Sequence, residues 1–166
     1  MEGCPDGGPY LEDDMRNPWT ALTLATLVAL PLAAQTRDQA KAFVKQAVDF
    51  AKKNPKEKFL EEVSGVKGQF HFNKGQNFDL YIFVYDQEGK VLAHGARREL
   101  VGQVRWTAKD PDGKPWIQDW TKLVKEKGSG WIEYKELNPA QNNKVMRKAS
   151  FVELFNGMVI GAGIYE

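Results

Sequence analysis

Cysteine is nearly absent from this 166-residue chain, Cys4 being the only one. A disulfide within the chain is therefore excluded, and so are zinc sites built from several thiolates. Histidine is almost as scarce: only His71 and His94 occur, far apart in the sequence and poor evidence for a metal site, which needs several convergent ligands. There is no G-x-S-x-G nucleophile elbow and no glycine-rich phosphate loop. "GSG" (Gly128–Gly130) lacks the elbow pattern, and "GAG" (Gly161–Gly163) sits in a strand-like run where it permits close packing. "DPDG" (Asp110–Gly113) opens like a calcium loop but lacks its spaced acids and closing glutamate. No metal and no cofactor is implied. The formal net charge is +1 and the bases are scattered, which does not describe a nucleic-acid binder. No internal repeat or low-complexity tract occurs. Composition, 42% hydrophobic and 27% charged, fits one ordinary globular domain.

Long apolar runs are missing as well. The longest, Trp19–Leu32, is shorter than the roughly 20 residues of a membrane span. Arg16 precedes it, Ala33 and Ala34 follow, and polar Gln35 comes next. That is the three-part layout of a secretory signal peptide over residues 15–34, cut after Ala34. The acidic, glycine-containing residues 1–14 do not fit such a leader, so translation is expected to start at Met15, with 1–14 a mis-assigned extension. The mature domain, residues 36–166, is then periplasmic or secreted and free of cysteine.

Thr36 and Gln39 have the spacing of a capping box. Ala40, Phe43, Val44, Ala47, Val48 and Ala51 then form one apolar stripe, predicting a long helix. Asn54, Pro55 and Glu57 predict a second cap, with Phe59, Leu60 and Val63 as the buried face and Gly65 as the stop. Leu80–Tyr85 and Lys90–His94 flank the turn Asp86–Gly89 and read as a hairpin. A short helical turn is expected in "ARRELVG", a turn at Asp110–Pro115, and a helix over Trp116–Lys127. Trp131–Lys135, Val145–Phe155 and Met158–Tyr165 read as strands, the last two joined by Asn156-Gly157. The expected fold is α+β: a central antiparallel sheet of about five strands, with a long N-terminal helix and other helices packed on it.

The pieces "DLYIFVYDQEGKVLAHG", "LVGQ", "DPDGKPWI", "KGSGWIEY", "NP", Lys148 and "GAGIY" fall in an order that resembles the single Cache domains. These are extracytoplasmic sensor modules related to the PAS fold. The resemblance runs from about Ala40 to Tyr165 and is nearest to the free-standing secreted version. It implies a curved antiparallel sheet and a pocket between sheet and loops that takes small organic acids such as acetate, lactate or pyruvate. Gly95 stands where membrane-bound relatives often have proline, and Phe151 where a tyrosine is common. With no second apolar span in the sequence, the expected signalling partner is a membrane receptor or sensor kinase in trans.

Lys148 lies in "VMRKASFVELF", whose alternation puts it on one face with Ser150, Val152 and Leu154. A buried ammonium without a partner is costly, and a carboxylate ligand would neutralise it. The other reading of the residue is a head that snorkels to water at a sheet edge; the resemblance favours the ligand. Tyr134, sharing a face with Ile132, is expected to supply a second donor. Trp131 is expected as a wall. His94 is placed on the face of Leu92, away from Val91, as a donor whose protonation tightens binding at lower pH. Tyr81 and Tyr85 are within reach of a pocket. The function this implies is a small-carboxylate sensor in signal transduction, without catalysis. Two rivals stay open: a small secreted enzyme using His94 as general base beside Asp86 or Glu133, and a structural module dimerising through the first helix.

Overall fold

The computed structural model of the chain describes residues 36–76 and 79–166. The leader, its cleavage point and the start at Met15 lie outside the described residues. Helix α1 (Arg37–Lys53) begins at the expected capping box: the Thr36 hydroxyl accepts from Gln39 N–H, and the Gln39 side chain accepts from Thr36 N–H. Its stripe is buried from Ala40 to Val48. Helix α2 (Lys56–Ser64) buries Phe59 and Val63. Asn54 does not cap it. The Asn54 amide instead donates to Phe50 C=O and closes α1, while α2 starts behind Pro55 with no side-chain cap.

Strands β1 (Phe83–Asp86) and β2 (Val91–His94) form the hairpin. Its turn is held by the Asp86 carboxylate, which accepts the N–H groups of Glu88 and Lys90. The ladder starts at Phe83 rather than Leu80, because Ile82 N–H is committed to Phe70 C=O. After a 3-10 turn at Arg98–Leu100 come α3 (Trp116–Lys127), β3 (Ser129–Asn138), β4 (Lys144–Phe155) and β5 (Met158–Tyr165). Strand β3 is longer at both ends than the pattern predicted. Asn156 and Gly157 both have positive φ, 45° and 74°, the backbone of a tight two-residue hairpin. The strand order is β2-β1-β5-β4-β3 with every pair antiparallel, an α+β sheet.

Side chains alternate between two cores. One face carries Ile82, Val84, Ala149, Phe151, Ile160 and Ala162 against α1 and α2. The other carries Tyr81, Phe83, Tyr85, Tyr134, Val152 and Val159 against Trp116, Ile117, Trp120 and Val124 of α3. A bulge in β2 corrects the expected placement of His94. Val84 pairs with Ala93 but Tyr85 with Val91, so Leu92 is an extra residue. Leu92 therefore packs with the α1/α2 core, and His94 falls on the α3 face with Val91.

Strand β5 is bare on the α3 face at Gly161 and Gly163. A Cβ on Gly161 would run into the Phe83 ring, and one on Gly163 into Ser150 Oγ and the Lys148 stem. The glycines therefore make the groove that Phe83 and Lys148 cross. Gly161→Ala should lower stability by about 1–3 kcal/mol through overpacking, read as a lower urea midpoint at unchanged m-value. An unchanged midpoint would mean that Phe83 can move aside freely.

Candidate functional site

Alternation along β4 buries Lys148 and Ser150 on the α3 face, Lys148 being only 2% exposed. Lys148 Nζ donates to Tyr81 Oη at 2.7 Å. It lies 4.5 Å from the ring centre of Tyr81, 4.9 Å from Tyr165 and 5.4 Å from Phe83. Three π faces around one cation each contribute favourably. Among the described residues no carboxylate pairs with it. The phenols form a relay: Tyr165 O–H donates to Leu137 C=O at 2.8 Å, so Tyr81 O–H donates to the Tyr165 oxygen 2.9 Å away and Tyr81 accepts from Lys148. A cavity of about 500 Å³ lies between α2 and Leu92 of β2.

Tyr134 sits directly across from Lys148 in the β3–β4 ladder. Its ring stacks on Trp116 at 5.4 Å, with 9° between the planes. Its hydroxyl lies 3.1 Å from Ser150 Oγ, so Ser150, not the amine, is its partner. Burial holds the phenol well above the ordinary tyrosine pKa. Tyr85, further along β1, packs edge-on against Trp120 at 5.1 Å, and burial pushes its pKa up to about 12. The structure brings Lys148, Tyr134, His94, Tyr81 and Tyr85 to one face. It does not bring Trp131 there: that ring meets Phe151 at 5.5 Å on the α1 side and lies under the Arg37 guanidinium. Phe151 shares that side, so a tyrosine at this position would not reach Lys148 from this backbone.

The His94 ring lies 5.3 Å from Tyr81 and 6.4 Å from Phe83. Its Nδ1 accepts the backbone N–H groups of Ala96 and Arg97 at 3.2 and 3.0 Å. The ring proton therefore sits on Nε2. Burial first, then the charges of Arg97 and Lys148, hold the imidazole well below its usual pKa. This reverses the expected gain on protonation: a charged His94 would lose two hydrogen bonds beside two cations. The engaged Nδ1 also leaves no free lone pair for a general base. Arg97 itself pairs with Glu136 at 2.8 Å, both side chains largely buried. Burial opposes the Arg97 charge most strongly of any single cause, but Glu136 together with Tyr81 and Tyr85 outweighs it and the guanidinium is held above its ordinary value.

Tyr165 and Phe83 were not among the residues singled out from the sequence. The signal was the register: odd positions of β5 share the face of even positions of β4, so the tyrosine closing "GAGIY" lies opposite Lys148. Among the described residues no group of three histidine, cysteine, aspartate or glutamate side chains could hold a metal ion.

A five-stranded antiparallel sheet with helices on both faces and a polar cluster under one of them is the architecture of a PAS-like sensor domain. The family model for single Cache domain 2 matches residues 33–166, and the chain belongs to that family. A solved structure reported as the basis for carboxylic acid recognition by a Cache chemosensory domain is 25% identical, with a TM-score of 0.62, covering 79% of this chain and 99% of that one. The methyl-accepting chemotaxis protein of Vibrio parahaemolyticus shares the fold at 22% identity and a TM-score of 0.65, over 77% of this chain and 86% of that one. Methyl-accepting chemotaxis protein McpP of Pseudomonas putida is 29% identical over 89 residues, which is 52% of this chain but 16% of McpP. Cache domains are extracytoplasmic sensor modules, and these relatives are a chemosensory domain and chemotaxis proteins. No helix among the described residues is long and apolar enough to cross a membrane.

The depressed folded pKa of His94 fixes a sign. Its contribution to stability is present in full above the unfolded value and is lost as pH falls from there through the folded value. The urea midpoint should therefore drop as pH is lowered from about 7 to about 5. His94→Asn, which keeps an acceptor in place, should lose that share of the slope. An equal slope in the variant would contradict the assignment.

Proposed function

We propose that this domain senses a small carboxylate outside the cytoplasm, with Lys148 as the charge that receives it. One observation carries the reading: the amino group of a lysine 2% exposed is held by a single phenol and three rings, with no acid among the described residues paired to it. An ammonium has three N–H donors, and Tyr81 takes one. An incoming carboxylate fills the others and neutralises the charge in surroundings of low dielectric, where a charge-assisted hydrogen bond is strongest. His94 Nε2–H is a further donor on the same face. Tyr81 links the event to the rest of the fold, because its hydroxyl also holds Tyr165, the last residue of the central strand β5. The carboxylic acid recognition reported for the similar Cache chemosensory domain supports the ligand class.

A thermal-shift screen of short organic acids tests this. A true ligand at 100 times its dissociation constant should stabilise the domain by about 2.7 kcal/mol. Lys148→Ala should lose the shift while keeping its near-UV circular dichroism. An undiminished shift in that variant would sink the reading. Turnover of a substrate that His94→Ala abolishes would favour the enzyme instead.

A further inference from the structure

The α3 face holds buried donors that lack acceptors among the described residues. Among the described residues, the buried donor atoms Trp120 Nε1 and Arg105 Nη1 have no partner. Trp120 is 1% exposed, stacks on Phe83 at 5.1 Å and meets Tyr85 at 5.1 Å. The Arg105 guanidinium lies 5.7 Å from the Trp116 ring centre, and Trp116 in turn stacks on Tyr134. No acid among the described residues pairs with Arg105, and Glu136 is already taken by Arg97. Buried donors normally have acceptors, so each unpaired N–H marks a place where one belongs.

The donors follow a row. Tyr81, Phe83 and Tyr85 project from the same side of the chain at every second residue. Lys148 Nζ lies against Tyr81 and Phe83, Trp120 against Phe83 and Tyr85, and the Arg105 backbone N–H donates to Gly89 C=O at 2.8 Å, in the turn that follows β1 beyond Tyr85. Alternate residues of a strand are about 6.6 Å apart, which is within the reach of a four-carbon diacid. A monocarboxylate on Lys148 would leave the Arg105 charge unbalanced and both N–H groups unpaired. A second carboxylate satisfies all three.

We propose that the ligand is a short dicarboxylate lying along the Tyr81–Phe83–Tyr85 row, one carboxylate on Lys148 and the other accepting from Trp120 Nε1–H and Arg105 Nη1–H. This rests on the reading of Lys148 as a carboxylate receptor.

Titration calorimetry of the full chain with butyrate and succinate, equal in carbon number, tests it. Succinate should bind at least about tenfold more tightly, the equivalent of one charge-assisted hydrogen bond. Arg105→Gln and Trp120→Phe should each shrink that preference, and the double variant should bind both acids alike. Should Trp120→Phe fail to fold, Arg105→Gln alone decides. Equal or tighter binding of butyrate by the wild type, or a succinate preference that survives Arg105→Gln, overturns the dicarboxylate. If butyrate binds and depends on Lys148, the monocarboxylate reading stands without this extension. If neither acid binds, or Lys148→Ala changes neither, the receptor reading fails and this inference falls with it.

Discussion

An amino group placed on the apolar side of a sheet has to be compensated. At Lys148 the compensation is indirect. One phenol accepts a hydrogen bond and three aromatic faces surround the nitrogen, but no carboxylate among the described residues pairs with it. Each cation–π contact contributes about 0.5–2 kcal/mol, against a desolvation penalty of several kcal/mol for a buried ion. The arrangement holds a charge in place without neutralising it. The rest of the α3 face follows from that. Gly161 and Gly163 clear a path across β5, Tyr81 and Tyr165 carry the hydrogen bond on to Leu137, and Tyr134 is kept from the amine by Ser150.

The two faces of the sheet divide the labour. Helices α1 and α2 cover a face of alanine, valine, isoleucine and phenylalanine that needs no polar partner. Helix α3 covers a face rich in tyrosine, tryptophan and donors. Stability can therefore rest on the first while the second carries unbalanced charge. The β2 bulge matters here because it swings His94 onto the second face. Two backbone N–H groups then fix its tautomer and leave Nε2–H as the donor.

Much of this was legible in the residues. The α1 stripe, its capping box, the Asn156-Gly157 hairpin and the inward face of β4 all rest on local periodicity, which the chain states openly. The expected architecture and the family assignment agree with the structure and the family model. The placement of His94 was not legible, since one extra residue in β2 inverts the alternation. Trp131 was misplaced for another reason: alternation separates it from Tyr134, but no local rule says which face carries the polar cluster. Arg105 and Trp120 were hidden because their importance lies in partners they lack, and that becomes visible only after every neighbour has been placed. Asn54 had the composition of a cap and spent its amide on the preceding helix instead.

The most direct test of the buried-charge account is the stability of Lys148→Met measured without added ligand. Methionine keeps the length and apolar stem of lysine and removes the charge. The account predicts a variant as stable as the wild type or more so, by urea unfolding at neutral pH. A loss of several kcal/mol would contradict it, because the amine would then be a structural element whose cage of phenol and rings already satisfies it.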